Sequence, residues 1–279
     1  MACATCGVDC EQVVFTRPDG SVSYSPSSPI CDACAKIASK KAVDERLARE
    51  LEEKTELQED KWFSECGIES FGRFMMKAFK GDGDPDGDGY EGFERKLQPR
   101  AFDAMKNWKD PQSLILASPG IYGVGKTHLA CALTMELLHN CEKVWVMRGS
   151  GSVRLKPCPV FVTNEAKMLA RIRKTFNRNN DEEDAESEDD VYQILTSPRL
   201  LIIDDVGKVR PRDLSFLQGA YYRIIDERYT EGQGVILTTN LSLDELEQHI
   251  GGACADRMRE MCGKDGIIVM SGESYRRLK

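Results

Sequence analysis

The sequence predicts an α/β fold in which a parallel sheet is covered by helices on both faces. From about residue 90 onward, short apolar runs with strand character alternate with longer runs of helical character. Strands that are apolar along nearly their whole length and are separated by helices are typical of such sheets. The predicted strands cover residues 112–118, 159–163, 199–205, 234–240 and 266–270, and the predicted helices cover 127–139, 164–177, 213–230 and 242–262.

The size and composition of the chain limit what kind of protein it can be. With 279 residues it can hold one full-sized core and a small accessory unit. No run approaches the roughly 18 apolar residues that a membrane span needs. The first ten residues lack the charged start and apolar stretch of a secretory signal. We therefore expect no membrane partner and a cytoplasmic location, in a bacterium or, for a phage gene, in its host.

The charge is unevenly distributed along the chain. Residues 181–190 hold eight acidic and no basic side chains, which accounts for the whole net charge of −8. The rest of the chain is neutral overall, so a basic surface for nucleic acid is not excluded. We expect residues 177–191 to form a solvated acidic loop.

Three zones follow one another in the sequence. Residues 1–36 carry cysteines and many turn formers, and predict a small zinc-binding domain. Residues 37–89 predict a linker, first a helix to about residue 80 and then an acidic, glycine-rich flexible segment. An EF-hand calcium loop is the weaker interpretation of that segment, because its twelfth position is not Glu. Residues 90–279 predict the domain that contains the sheet.

Two CxxC pairs at the amino terminus predict a structural zinc site formed by Cys3, Cys6, Cys31 and Cys34. Four thiolates at this spacing can surround one tetrahedral Zn²⁺ and stabilise a domain too small to fold by burial alone. Because protein ligands fill all four positions, we expect no catalytic role for the metal. Cys10 could replace one ligand, and redox-active disulfides are an alternative interpretation.

A GxxxxGK[ST] motif lies between the first predicted strand and the helix that follows it. Glycines let the backbone N–H groups of such a loop approach phosphates, and the helix N-terminus adds partial positive charge. Lys126 is expected to reach the β and γ phosphates of ATP, and Thr127 to bind Mg²⁺. The predicted nucleotide-binding residues of this segment are Gly120, Gly123, Val124, Gly125, Lys126, Thr127 and His128.

Polar side chains end two other predicted strands. Asp204 and Asp205 follow LLII, and Asn240 follows VILTT. We expect Asp204 to hold Mg²⁺, Asp205 to polarise the attacking water and Asn240 to orient it. The alternative for Asn240 is a residue that only turns the chain into the next helix.

The motifs GIYGVGKTHLACAL, LLIIDDVG, IIDERY, VILTTNLSLDELEQHIG, ADRM and SYR resemble, in this order, those of the DnaC/DnaI-type helicase loaders and the related IstB transposition ATPases. The resemblance covers about Tyr90 to Leu278. It implies a RecA-like AAA+ ATPase domain that forms homo-oligomers with ATP between subunits. It also implies that Asn240 is sensor 1, Arg257 the arginine finger and Arg276 the sensor 2 residue.

The sequence departs from this pattern at several points. Many AAA+ proteins have Glu where this chain has Asp205, and the shorter side chain would slow hydrolysis, as suits a switch. ADRM differs at two positions from the usual arginine-finger motif, and residues 147–159 resemble an insertion.

In this clade the helix before the Asp-Asp strand contributes to single-stranded DNA binding. Here it is rich in cations, which bind phosphates without sequence preference. A solvated helix face is the alternative, and the acidic loop that follows could shield it. The basic residues are Lys167, Arg171, Arg173, Lys174 and Arg178.

A zinc module before the ATPase domain resembles the loader branch, whose amino-terminal domain docks on the replicative helicase. IstB-type proteins usually have a short helical segment there. We therefore expect an ATP-dependent loader that binds the hexameric replicative helicase through its zinc domain and delivers it to single-stranded DNA. The alternatives are an IstB-like ATPase that assembles on DNA and recruits a transposase, and an ATP-switched adaptor with no DNA role.

Overall fold

The structure is a computed structural model. It describes residues 2, 4–5, 14–16, 22–24, 32–71, 90, 93, 95–147, 152–176, 186–210 and 213–274. Two compact units are found, one of residues 1–57 with 144–155 and the other of residues 58–143 with 156–279. The three predicted domain boundaries stay predictions.

The first unit contains two short antiparallel pairs and most of a long helix. Strands β1 (Val14–Thr16) and β2 (Val22–Tyr24) form one pair. Strands β4 (Val144–Val146) and β5 (Val153–Leu155) form the other, partly within the segment that resembles an insertion. Helix α1 spans Asp32–Glu65 and so ends well before residue 80, where the sequence predicted its end.

The second unit is built on five parallel strands. In sequence order they are β3 (Leu114–Ala117), β6 (Val160–Asn164), β7 (Leu200–Val206), β8 (Gly234–Thr239) and β9 (Ile267–Val269). Their order in the sheet is β6-β7-β8-β3-β9. All five predicted strands are found, and the predicted α/β class, a parallel sheet flanked by helices, is confirmed.

Among the described residues, seven α-helices follow α1. Two short 3-10 helices, Ile68–Phe71 and Arg95–Leu97, lie in the sequence between α1 and the first of these seven. The helices are α2 (Pro99–Lys106), α3 (Lys126–Asn140), α4 (Glu165–Phe176), α5 (Glu188–Thr196), α6 (Leu214–Thr230), α7 (Leu243–Ile250) and α8 (Gly252–Cys262).

Helices cover both faces of the sheet, and successive residues of each strand point to opposite faces. Leu114 and Leu116 of β3 join one apolar cluster together with residues of α2 and α3. Ile115 and Ala117 join a second cluster together with residues of α4, α6 and α8. The first cluster also includes Trp62, which is 1% exposed, so the last turns of α1 belong to the core.

One predicted helix and one predicted loop need correction. The single helical run predicted over 242–262 is two helices, α7 and α8, because Gly251 between them has φ 92°. The acidic loop predicted over 177–191 is also interrupted. Ser187 caps α5 in a reciprocal capping box with Asp190, so Glu188 to Asp190 form a helical first turn, where carboxylates are favoured.

Among the residues that the structure describes, no helix has the length and apolar character needed to cross a membrane.

Candidate functional site

The glycine-rich motif forms a loop between β3 and the first residue of α3. Gly120, Gly123 and Gly125 all have positive φ, which side chains rarely tolerate. Gly125 has a second constraint, because a Cβ there would collide with the ring of Phe93. The chain therefore needs glycine at this position both for its backbone angle and for the close approach of the aromatic ring.

Lys126 and Asn240 meet at the carboxyl edge of the sheet. Lys126 is only 6% exposed, and its Nζ donates to Asn240 Oδ1 at 2.7 Å and to the Ser118 hydroxyl. The contact is possible because β3 and β8 are parallel neighbours, so that the residues following each strand share one edge. Ser118 was not predicted, although its position directly after β3 is the signal that could have identified it.

Asp204 is a buried carboxylate of the same site and lies near the end of β7. It is 2% exposed and accepts hydrogen bonds from Thr127 Oγ1, at 2.9 and 3.1 Å, and from Thr238 Oγ1, at 2.5 Å. Burial and the neighbouring Asp205 raise the pKa of Asp204 to about 6, although the bonds from Thr238 and Thr127 and the charge of Lys126 lower it. Hydroxyl and carboxylate oxygens thus lie together in an arrangement suited to Mg²⁺, which prefers hard oxygen ligands.

Asp205 has an unusual backbone conformation. Its φ is 57°, and the register of β7 against β8 shifts between Ile203 and Val206. A positive φ is uncommon for a residue other than glycine and marks strain of about 1–3 kcal/mol that the surroundings must hold in place. Thr238 Oγ1 accepts from the Asp205 N–H at 3.0 Å, and Lys208 Nζ lies 2.9 Å from Asp205 Oδ2. Sequence reasoning missed this lysine partner.

Glu165 anchors the loop that follows β7 and was also missed. Its side chain is fully buried and accepts from the N–H groups of Gly207, at 3.0 Å, and Val209, at 3.3 Å. Tyr221 donates its hydroxyl at 2.9 Å, and His249 Nε2 lies 2.7 Å away. A buried carboxylate requires such partners. The loop after the two aspartates is therefore tied to α4, α6 and α7.

The structure places Arg257 on α8, facing α6. Its guanidinium forms an ion pair with Asp226 at 2.7 Å and lies near the rings of Tyr222 and Tyr229. Arg276 lies outside the described residues, so its predicted role stays a prediction.

Four of the five basic residues expected to bind single-stranded DNA lie on α4, and Arg178 lies outside the described residues. Arg171 forms an ion pair with Glu186 of the acidic stretch. Arg173 lies 4.8 Å from the centre of the Phe216 ring. The other two, both exposed, are Lys167 and Lys174. Glu186 therefore already pairs with one cation of this surface.

Of the four predicted zinc ligands, only Cys34 is described, and it is partly buried at the start of α1. Cys3, Cys6 and Cys31 lie outside the described residues. Within the part of the chain that the structure covers, no group of three or more His, Cys, Asp or Glu residues is arranged to hold a metal ion.

The fold is an α/β fold built on a parallel sheet, and the site adjoins a glycine-rich loop of the GxxxxGK[ST] pattern between β3 and α3. No protein-family model matches the chain. It is 25% identical over 154 residues to the replicative helicase loader DnaC of Escherichia coli K12, covering 55% of this chain and 53% of that protein. It is also 29% identical over 168 residues to a protein of insertion sequence IS5376 from Geobacillus stearothermophilus, described as ATP-binding. That match covers 58% of this chain and 54% of that protein.

The chain thus spans about half the length of the curated relatives it matches. A crystal structure of the DnaC helicase loader aligns with a TM-score of 0.43 and 19% identity, over 61% of this chain and 86% of that one. The resemblance to helicase loaders and to ATP-binding proteins of insertion sequences, predicted from the motifs, is confirmed.

Proposed function

We propose that this chain is an ATP-hydrolysing helicase loader. The observation that carries the proposal is the meeting of Lys126, Asn240, Thr127 and Asp204 at one edge of the sheet. This arrangement combines a buried cation for phosphates with a set of oxygens for a divalent metal. The similarity to DnaC supports the choice of loading over other uses of ATP.

ATP binding begins with the loop of residues 120–125 and the N-terminus of α3, which together direct N–H groups at the phosphates. Lys126 Nζ exchanges its bonds to Ser118 and Asn240 for the β and γ phosphates. Thr127 and Asp204 would hold Mg²⁺, which would neutralise charge on the phosphates. Ionised Asp204 is costly in this buried position, and a bound cation offsets that cost.

Hydrolysis requires a water held in line with the γ phosphate. Asp205 polarises this water and Asn240 orients it. Lys208 pairs with the Asp205 carboxylate, so that Asp205 must share its oxygens between Lys208 and the water, which favours slow turnover. Arg257 of a neighbouring subunit neutralises the transition state, and Arg276 acts as the sensor 2 residue. The active form is therefore a homo-oligomer.

Single-stranded DNA binds along α4 through its exposed cations, in competition with the acidic stretch that already engages Arg171. The amino-terminal domain, folded around Zn²⁺ by its two CxxC pairs, docks on the hexameric replicative helicase. ATP binding by the second unit then controls delivery of the helicase to the DNA.

The nucleotide site is tested with Lys126→Ala in the full-length protein. The variant should lose ATP binding in isothermal titration calorimetry while keeping its fold by circular dichroism, because the charge facing the phosphates is gone. Lys109→Ala, which removes an exposed lysine, serves as the control and should bind normally. Near-normal ATP affinity in Lys126→Ala would refute the role of this loop.

A second experiment separates loading from other functions. The purified full chain is mixed with a replicative helicase from the source organism, and ATP-dependent loading onto a single-stranded DNA circle is measured. A variant with all four CxxC cysteines changed to serine should lose helicase binding but keep ATP binding. The loader proposal fails if the intact chain neither binds nor loads the helicase.

A second candidate function is ATP-dependent target selection in transposition. It is favoured by the 29% identity to the protein of insertion sequence IS5376. In that case the ATP-bound chain should coat duplex DNA and retain a transposase. Electrophoretic mobility shifts with duplex and single-stranded DNA of equal length distinguish the two, since a loader should prefer the single strand.

A further inference from the structure

Three residues of α6 surround the side chain of Arg257. Tyr222, Asp226 and Tyr229 are spaced by four and then three positions, which places them on one stripe of the helix. Asp226 Oδ1 lies 2.7 Å from Arg257 Nη2. The guanidinium carbon lies 5.1 Å from the centre of the Tyr222 ring and 5.9 Å from that of Tyr229. One ion pair and two cation–π contacts therefore hold the guanidinium.

The surrounding residues are themselves fixed. Tyr229 donates its hydroxyl to Glu260 Oε2 at 2.9 Å, which links the ring back to α8. Arg257 Nη1 also donates to the carbonyl of Ala253, one turn earlier in α8, at 3.5 Å. A free arginine side chain samples many rotamers, and these contacts restrict that freedom before any ligand arrives.

We infer that Asp226, Tyr222 and Tyr229 are positioning residues that direct Arg257 toward a nucleotide bound by a second copy of this chain. The inference rests on the proposed role of Arg257 as the arginine finger and names the residues that make the finger effective. A guanidinium has five N–H donors, more than its partners on α6 and α8 engage, so donors remain for a phosphate oxygen.

The face that presents Arg257 is open to such a partner. Tyr222 is 46% exposed and Tyr229 is 37% exposed, although both are large aromatic residues. Tyrosine and arginine are the residue types enriched at the centres of protein interfaces. The same tyrosines thus orient the guanidinium and offer apolar area to the neighbouring subunit.

The test compares Asp226→Asn with Glu227→Gln in the full-length protein. Both changes remove one negative charge from α6, but Glu227 is exposed and lies on a different side of the helix. Asp226→Asn should lower kcat for ATP hydrolysis by roughly 10- to 100-fold, the loss expected when a catalytic group is misplaced by about 1 Å. ATP affinity should be unchanged, Glu227→Gln should behave as the unmodified chain, and Asp226→Glu should recover part of the activity.

Mixing separates misplacement of the finger from a general defect. Lys126→Ala subunits have an intact Arg257 and its partners but no working nucleotide site. Adding them in excess to Asp226→Asn subunits should raise ATP hydrolysis severalfold, because they supply a correctly held finger to ATP bound by the other variant. Failure of mixing to restore activity, with both variants folded by thermal melting, overturns the positioning role.

Arg257→Ala distinguishes failure of this inference from failure of the finger itself. If Arg257→Ala is inactive and Asp226→Asn turns over normally, the finger stands and the positioning role is wrong. If Arg257→Ala keeps the normal rate, the finger assignment is wrong and the positioning role fails with it. Arg259, which lies two residues further along α8 and pairs with Glu247 of α7, then becomes the candidate finger.

Discussion

Arg228 is the residue whose removal should destabilise the second unit most clearly without affecting its nucleotide site. It lies on α6, is 0% exposed, and within the described part of the chain its guanidinium donates to five backbone carbonyl groups. Burial lowers the pKa of Arg228 to about 9, so it stays protonated at neutral pH. The acceptors are Leu195 at 3.0 Å, Thr196 at 3.2 Å, Pro198 at 2.9 Å, Arg199 at 3.2 Å and Gly234 at 2.7 Å.

The size of the effect follows from these acceptors. Leu195 and Thr196 end α5, where carbonyl groups have no partner within the helix. Arg199 keeps a bond from the Gly234 N–H when the guanidinium is removed. Each buried carbonyl left without a partner costs about 1–3 kcal/mol, with partial relief from water. Arg228→Met should therefore lower the free energy of unfolding by about 3–5 kcal/mol, which corresponds to a fall in Tm of roughly 6–20 °C for a unit of this size.

Urea unfolding followed by circular dichroism measures this loss, and Arg199→Met is the matched control. Arg199 is 60% exposed and pairs with Asp110, so its removal should cost less than about 1 kcal/mol. Arg228 contacts the segments where β7 and β8 begin, whereas the proposed nucleotide site lies where they end. ATP affinity of folded Arg228→Met should therefore be normal. A loss of stability no larger than that of the control would refute the reasoning.

Three further predictions concern the site and the metal. Asp204→Asn should raise the free energy of unfolding by about 1–3 kcal/mol at pH 8, because the pKa of Asp204 is raised to about 6 and its ionised form is unfavourable in the fold. This gain in stability should disappear below about pH 4, where the carboxyl group is protonated in both the folded and the unfolded chain. The same variant should bind ATP more weakly in the presence of Mg²⁺. Urea titrations at the two pH values check this, and equal differences at both would contradict it. Glu165→Gln should reduce kcat while leaving ATP affinity intact, since the loop after β7 loses the buried carboxylate that accepts its N–H groups. Steady-state kinetics that show only a raised KM would argue against a role of Glu165 in holding this loop. One zinc ion per chain should be found by metal analysis of protein purified without chelator, and a metal-free protein whose amino-terminal region unfolds cooperatively would contradict the zinc site.

The sequence was sufficient for the parts of the site that follow directly from strand ends. Asp204 and Asn240 each end an apolar run, and Lys126 follows the loop after another; parallel strands bring such residues to one edge of the sheet. The contact between Lys126 and Asn240 needed only that the strands be parallel neighbours. Local chemistry and one rule of sheet topology therefore carried these predictions.

Partners that approach from distant segments could not be predicted in the same way. Glu165 begins a helix, where an acidic residue has a sufficient local explanation, so nothing in the sequence indicated its bonds to Tyr221 and His249. Arg228 lies within IIDERY, where it directly follows two acidic residues, and its burial depends on the end of α5. Both residues are defined by helix packing, which periodicity alone does not specify.

The arginine on α8 shows how one backbone angle decides such packing. A helix continuous over residues 242–262, as the sequence predicted, would carry Arg257 along the axis that α7 sets. Gly251, with φ 92°, ends α7 and lets α8 start in a new direction. Arg257 then meets the stripe formed by Tyr222, Asp226 and Tyr229 on α6. Since an L-amino acid at Gly251 would be strained in that conformation, the orientation of the proposed finger depends on a glycine outside the nucleotide-binding loop.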